Sequence, residues 1–189
     1  GVATGQKILS NNFFSTGNST FSLILPNNTG SACIEIHSWA YNLQSWITNV
    51  ATNHPVYNPS DGEIISGNLY GDAKSEMILV KYQHTGSGRI EIHVWDPSYQ
   101  RWVAHIATNH PEVDPANARV ISADVDGDGV DELELVKYLQ TGSGKMEIHT
   151  WGAGQQAWRT NVATSYPETS PADAKVISAN LYGGAADEF

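Results

Sequence analysis

The sequence predicts an all-β protein: a β-propeller-type array of four-stranded antiparallel blades, in an incomplete ring of about three blades plus one extra strand. The first observation is an internal repeat, because the pattern Glu-Ile-His-x-Trp follows residues 34, 90 and 146, which are equally spaced along the chain without gaps. The second is that each repeat contains four short apolar or alternating segments between turn residues, and such a unit of about 40 to 55 residues is typical of a propeller blade. The third is that no segment keeps a helical period.

The repeat divides the chain into three blade-like units, residues 1–62, 63–118 and 119–174, followed by residues 175–189 as the first strand of a fourth. In the third unit we expect strands over residues 119–125, 132–138, 145–151 and 157–163. Propellers usually close with about four to eight blades, so this number of units does not close a ring. We therefore expect either part of a longer chain or copies that complement each other through the strand at 175–189.

An acidic loop of nine residues, Asp-Val-Asp-Gly-Asp-Gly-Val-Asp-Glu at 124–132, lies between the first two predicted strands of the third unit. Hard divalent cations bind oxygen donors at such alternate positions, and Gly129 can take the positive φ of a sharp turn. The predicted cation is Ca²⁺, and its expected ligands are the side chains of Asp124, Asp126, Asp128 and Glu132 and the backbone carbonyl of Val130. The alternative is an acidic surface turn without metal, since Asp and Gly are common turn residues. The loop is too short for an EF-hand.

Degenerate copies of this loop occupy the same place in the other units. Residues 12–20 lack the acids, and residues 180–188 keep them only at the end of the loop. The copy at 68–76 would form a weak or absent site, with Asn68, Asp72 and Glu76 as its candidate ligands. We expect the first and fourth copies to depend on turn chemistry alone.

Composition and charge narrow the classes of partner. The net charge of −10 and the pI near 4.9 argue against nucleic acid and anionic membranes, because both need clustered Lys and Arg. No apolar run is long enough to span a bilayer, so we expect no membrane insertion. The single cysteine, Cys33, cannot form an internal disulfide and indicates little about the compartment.

The pattern Asp-x-Asp-x-Asp-Gly-x-x-Glu-Leu over residues 124–133, between two apolar strands, resembles the FG-GAP or VCBS-like repeats of integrin α-subunit propellers and of many secreted bacterial and fungal proteins. Through the internal repeat the resemblance covers nearly the whole chain, although the metal motif is complete only here. It implies a calcium-stabilised β-propeller outside the cell, used for adhesion, carbohydrate recognition or as a non-catalytic module beside an enzyme. It places the family's metal ligands on Asp124, Asp126, Asp128, Val130 and Glu132.

The supply of aromatic residues favours a module that binds carbohydrate or an extracellular protein. Six Trp and eight Tyr offer flat faces that stack on sugar rings, and Asn and His side chains can hydrogen-bond hydroxyl groups. The candidate sugar contacts are Tyr99, Trp102, Asn109 and His110, with their equivalents Trp46, Asn53 and His54. Because the Trp recurs in every unit, a core position is the alternative interpretation.

Two other classes of function compete with recognition. A structural protein would assemble oligomers or filaments by strand complementation between chains. Part of a polysaccharide-active enzyme is less favoured, because the sequence lacks a nucleophile elbow, a His-Glu-x-x-His motif and a phosphate loop, and we expect no catalysis. The repeated Glu-x-His-x-Trp row, which includes His37, His93 and His149, predicts a contact between blades more strongly than a zinc site.

Overall fold

The three-dimensional structure is a computed structural model that describes residues 6–13, 20–72 and 74–189. Within these ranges, twelve β-strands form three four-stranded antiparallel sheets, and one short 3₁₀ turn, Tyr41–Leu43, is the only helical element. The all-β class and the four-stranded unit are confirmed. What the described residues show is three separate sheets, not a closed ring.

Each sheet is a meander of four strands that pair in chain order. The first sheet comprises β1 (Lys7–Asn11), β2 (Thr20–Leu25), β3 (Cys33–Ala40) and β4 (Ser45–Pro55). The second comprises β5 (Gly62–Gly67), β6 (Glu76–Lys81), β7 (Arg89–Asp96) and β8 (Arg101–Pro111). The third comprises β9 (Ala118–Ala123), β10 (Glu132–Lys137), β11 (Lys145–Gly152) and β12 (Ala157–Pro167).

The last strand of each unit is longer than its sequence pattern predicts. In the third sheet, β12 continues to Pro167, and Lys145 pairs with Pro167 beyond an irregularity in the register. The bulge resets the alternation after Ala163, so the apolar pattern that defines a strand is lost while pairing continues. The proline then ends the strand because it has no amide to donate.

The expected strand at 175–189 does not form a ladder in the structure. Its only pairing is an isolated bridge between Ala179 and Glu188. Residues 176–178 instead dock on the third sheet, where the Val176 amide donates to Tyr138 Oη at 3.0 Å and Ser178 Oγ donates to the Ser122 carbonyl at 3.1 Å.

The three sheets pack face to face in sequence order. First strands contact first strands, β1 with β5 and β5 with β9, and fourth strands contact fourth strands, β4 with β8 and β8 with β12. Alternation along β7 puts Ile90 and Ile92 on the face toward the third sheet and Trp95 on the face toward the first. One apolar core therefore lies between each pair of neighbouring sheets.

The two cores use equivalent residues of successive units. Between the first and second sheets, the buried side chains include Ile24, Ile34, Ile36, Ile64, Met77, Leu79 and Trp95. Between the second and third sheets, they include Val80, Ile90, Ile92, Val120, Leu133, Leu135 and Trp151. Burying each large apolar side chain contributes about 1.5–3 kcal/mol, so these faces are the main source of cohesion between units.

A hydrogen bond from the start of a unit to the preceding sheet occurs at two places in the structure. The Val120 amide donates to Tyr82 Oη at 2.7 Å, and the Val176 amide donates to Tyr138 Oη, which occupies the same place one unit later. Tyr82 is buried and also donates to the Glu63 carboxylate.

No helix in the described part of the chain is long and apolar enough to cross a membrane.

Candidate functional site

The acidic loop connects β9 to β10, as the sequence predicts. Gly127 and Gly129 both take positive φ values, 78° and 87°, which let the chain reverse within a few residues. The expectation for Gly129 is confirmed, and Gly127 shares its role. A side chain at Gly127 would meet Ala185 at 3.0 Å, because the segment after the third sheet packs on this loop.

Three aspartates converge in this loop. Asp124, Asp126 and Asp128 each offer a carboxylate oxygen, and these oxygens lie within 4.8 Å of one another. Among the described residues, no other three His, Cys, Asp or Glu side chains meet this spacing. Asp124 is held in place because its two oxygens accept the amides of Gly127 at 2.8 Å and Gly129 at 2.9 Å.

Glu132, the ninth residue of the loop, is buried and already has partners. Its Oε1 accepts Arg159 Nη2 at 3.0 Å, and its Oε2 accepts the Val125 amide at 3.3 Å. Burial raises the pKa of Glu132, and the nearby charge of Asp126 raises it further. Glu132 and Val130 line an open cavity of about 390 Å³ together with Asp126 and Asp128, so four of the five predicted ligands border one space. Asp124 does not line this cavity but converges with the other two aspartates.

The glutamate at the ninth place has a structural role in three copies of the loop. Glu76 accepts the Leu69 amide at 2.8 Å, and Glu188 accepts the Leu181 amide at 2.7 Å, as Glu132 accepts that of Val125. This bond closes the loop even where the other acids are missing. It explains why the glutamate recurs in successive units without a complete metal motif.

The candidate ligands of the second loop already accept hydrogen bonds from backbone amides. Asn68 Oδ1 accepts the Gly71 amide at 2.9 Å, and Asp72 Oδ1 accepts the Lys74 amide at 3.1 Å. Glu76 is buried, and burial raises its pKa to about 7. In the fourth loop, the Glu188 carboxylate accepts a backbone amide of the turn. Residues 14–19 of the first loop lie outside the described residues.

Sequence reasoning missed the residue that ties the acidic loop to the second sheet. Asp131 Oδ2 accepts Ser122 Oγ at 2.7 Å and the Asn68 amide at 2.9 Å, and the Asp131 amide donates to the Asn68 carbonyl at 2.8 Å. The side chain of Asn68 donates to the Gly129 carbonyl at 3.0 Å. Asp187 occupies the place of Asp131 one unit later and donates its amide to the Asp124 carbonyl, a recurrence that could have indicated this contact.

The structure separates the aromatic and polar candidates for sugar contact along β8. Trp102 and His110 lie near opposite ends of β8 and do not share a site. Because fourth strands of neighbouring sheets contact each other, Trp102 lies beside His54 of the first sheet, with ring centroids 5.0 Å apart. In the same way His110 lies beside Trp158 of the third sheet, at 6.0 Å.

The remaining aromatic candidates are not in these contacts. Tyr99 is exposed in the turn before β8, where the Arg101 guanidinium lies 5.2 Å from its ring centroid. Trp46 is exposed at the start of β4, and Asn53 is exposed near its end. Asn109 accepts the Trp158 amide through Oδ1 at 3.2 Å, so it is part of the junction between the second and third sheets.

A polar cleft lies at that junction. It has a volume of about 420 Å³, and its lining includes Asn109, His110, Glu147, His149, Trp158 and Asn161. Glu147 is held by Lys137 at 3.9 Å and by Ser143 Oγ at 2.8 Å, and His149 Nε2 lies 3.4 Å from Glu147 Oε2. Burial lowers the pKa of His149, so its ring is neutral at pH 7. The cleft therefore combines an aromatic ring with hydrogen-bond donors and hydrogen-bond acceptors.

No protein-family model matches this chain, and no curated protein matches it either. The assignment of function therefore depends on the residues of the loop and of the cleft.

Proposed function

We propose that this chain is a non-catalytic recognition module of the β-propeller type, stabilised by Ca²⁺ at residues 124–132 and acting outside the cell on carbohydrate or on an extracellular protein. The convergence of Asp124, Asp126 and Asp128 carries the proposal. The donors there are oxygens only, which suits a hard cation and disfavours the softer transition metals. In this proposal the three sheets are blades of an FG-GAP or VCBS-like propeller.

The loop's own residues explain how a cation would stabilise the fold. Bound Ca²⁺ would neutralise the repulsion among the three aspartates, which are otherwise held together only by backbone amides. Asn68 joins this loop to the second sheet through Gly129 and Asp131, so a fixed loop also fixes the junction between the sheets. At ten times its dissociation constant, a ligand adds about 1.4 kcal/mol of stability.

The test is thermal unfolding with calcium and with EDTA. We expect Asp128→Ala to lower the melting temperature in calcium and to leave it nearly unchanged in EDTA. The matched control is Asp72→Ala, because Asp72 occupies the same place in the second loop, which lacks the other aspartates. Equal shifts for Asp128→Ala in both buffers would show that the loop holds no calcium.

Recognition of carbohydrate is supported by the cleft at the junction of the second and third sheets. Its indole, imidazole, amide and carboxylate groups are the usual lining of sites for polyhydroxylated ligands. The test is a glycan array in calcium, followed by calorimetry of each glycan that binds. We expect Asn161→Ala to weaken binding about tenfold. Asn49→Ala, at the same place in the first sheet, should bind normally because no other sheet of the described residues forms a cleft beside it. An empty array would refute recognition of carbohydrate without affecting the calcium test.

A second candidate function is assembly between copies, and the outer face of the first sheet favours it. Ile8, Phe21 and Trp46 are 69%, 41% and 51% exposed. Their equivalents one unit later, Ile64, Met77 and Trp102, are 2%, 0% and 8% exposed because the preceding sheet covers them. This face thus has the composition of an interface between sheets.

The native mass by light scattering tests assembly. We expect an oligomer that Phe21→Gln dissociates, whereas Tyr99→Gln, a change at an exposed aromatic residue elsewhere, leaves the mass unchanged. A wild-type monomer would remove this second function.

A further inference from the structure

Three histidines meet at the junction of the first and second sheets. His93 Nδ1 lies 2.7 Å from His105 Nδ1, which faces it from the neighbouring strand of the same sheet. The ring of His54, from the first sheet, lies with its centroid 5.0 Å from that of His93. Trp102 packs against the same group, 5.0 Å from His54 and 6.0 Å from His105. Neither the calcium loop nor the sugar cleft uses these residues.

The partners of two rings fix which nitrogen is free. His54 Nδ1 lies 2.7 Å from the Pro55 carbonyl, which can only accept, so the proton is on Nδ1 and Nε2 keeps its lone pair. His93 Nε2 is buried 3.4 Å from Glu91 Oε2 without forming a hydrogen bond, and Lys81 Nζ lies 3.8 Å from that carboxylate. The nearby negative charge favours the proton on Nε2, so Nδ1 of His93 presents its lone pair to His105. His54 thus donates one N–H to a carbonyl, which is the usual arrangement of a metal-ligating histidine.

Both inner rings are neutral in this environment. Burial lowers the pKa of His93 to about 4, and burial also lowers the pKa of His54. Neutral imidazole is the form that binds metals, and no proton has to leave these two rings at pH 7. His105 is exposed, so it can move its proton from Nδ1 to Nε2, which water can solvate.

We propose that His93 and His105 bind a divalent transition cation, such as Cu²⁺, Ni²⁺ or Zn²⁺, through their Nδ1 atoms, and that His54 completes the site from the preceding sheet. A metal–nitrogen distance of about 2.0–2.1 Å places two cis or tetrahedral nitrogens about 2.9–3.4 Å apart. The observed separation of 2.7 Å needs to open by only a few tenths of an ångström. Among the described residues the three histidine donors do not yet lie within 4.8 Å of one another, so His54 has to move toward the pair.

The next junction along the chain provides a natural comparison. His110 donates to the Pro111 carbonyl at 2.7 Å, and His149 lies 3.4 Å from Glu147, as their equivalents do. The two rings are 5.1 Å apart. The position of His105, however, is taken by Asn161, which pairs with His149 in the same register as His105 pairs with His93. The second junction thus has two of the three ligands.

The experiment titrates the full chain with Cu²⁺, Ni²⁺ or Zn²⁺ in excess calcium, so that the aspartate loop does not compete. Calorimetry gives affinity and stoichiometry, and quenching of tryptophan fluorescence by Cu²⁺ reports proximity to Trp102. We expect one site in the wild type, binding at least tenfold weaker in His105→Asn, and a second equivalent site in Asn161→His. Trp102→Phe should remove most of the quenching while the stoichiometry stays the same.

The controls separate this site from ordinary surface histidines. His84→Asn, at an exposed turn residue, should bind as the wild type does. His105 and Asn161 are exposed, so both variants should fold, and circular dichroism checks this. Equal affinity in His105→Asn and wild type would overturn the proposal, and so would loss of binding in His84→Asn. Either result would leave His93 and His105 as a hydrogen-bonded pair only.

Discussion

One pair of facing residues on neighbouring strands is chemically different in each of the three sheets. In the first sheet Ser22 and Ser38 share a buried hydrogen bond of 2.7 Å, and in the third sheet Thr150 Oγ1 donates to Glu134 Oε2 at 2.9 Å. The second sheet has Ile78 opposite Val94, both buried. In the two polar pairs, one hydrogen bond joins the side chains across the strands, because a buried polar group needs a partner, although Glu134 Oε1 has none. Burial raises the pKa of Glu134 to about 7.

The raised pKa of Glu134 gives stability a pH dependence with a definite sign. The folded protein holds this proton up to a pH of about 7, whereas the unfolded chain releases it near the ordinary value of 4.5. The folded state therefore binds more protons in this window, and stability falls as the pH rises through it. We expect Glu134→Gln to flatten this fall in urea unfolding measured across the window. Glu76 contributes a similar pH dependence to the wild type and to Glu134→Gln, so the test is the difference between the slopes of these two proteins. Identical slopes would contradict the assignment.

Two variants of the Glu134–Thr150 pair separate the contribution of its hydrogen bond to stability from the contribution of burial. Thr150→Val alone leaves Glu134 without its hydrogen bond, and we expect a loss of about 1–3 kcal/mol in the free energy of unfolding. Combining it with Glu134→Ile reproduces the pair of the second sheet and should restore or exceed wild-type stability at pH 8, where the carboxyl would otherwise be charged. A double variant as weak as the single one would show that volume, not polarity, decides this position.

At the scale of the element, the close approach of β5 to the third sheet positions the acidic loop. A Cβ at Gly67 would lie 2.9 Å from Asp131 Oδ2 and closer still to Ser122 Oγ, so only glycine fits while the bond between Ser122 and Asp131 is intact. At the equivalent place in the third sheet stands Ala123. The approach is therefore specific to the junction that carries the complete loop.

Gly67→Ala should push these two side chains apart. We expect the free energy of unfolding to fall by about 1–3 kcal/mol and calcium affinity to fall with it, as measured by urea unfolding and calorimetry. Gly86→Ala is the control, because nothing lies within 4 Å of its Cβ. Lower stability with unchanged calcium affinity would show that the contact does not influence the loop.

Local chemistry explains which elements the sequence predicts. The strands of the third unit and the loop at 124–132 follow from alternation and from glycine and aspartate turn signals, which act within a few residues. The positions of His54 beside Trp102 and of Asp131 beside Asn68 depend on how one sheet meets the next. A single unit contains no signal for that arrangement, and only the recurrence from one unit to the next could have indicated it.

On the scale of the whole molecule, stability should be the sum of the sheets and of the contacts between neighbours, as in other repeat proteins. One position tests this, because Leu79 and Leu135 are buried between sheets whereas their equivalent in the first sheet, Leu23, is only half-buried. We expect Leu79→Ala and Leu135→Ala each to cost about 2–5 kcal/mol, and Leu23→Ala clearly less, in urea unfolding. Equal losses at all three positions would show that the core within each sheet matters more than the interfaces.

The bonds of Asn68 to the second half of the acidic loop would make a cation bound there sensitive to force. Asn68 belongs to the second sheet, and its partners Gly129 and Asp131 belong to the loop of the third. If ion binding favours the docked arrangement, then by reciprocity any load that separates these sheets weakens the hold on the ion. The fraction of molecules that hold an ion in this loop would then report mechanical load on the array, because the ion would be released when the second and third sheets are pulled apart.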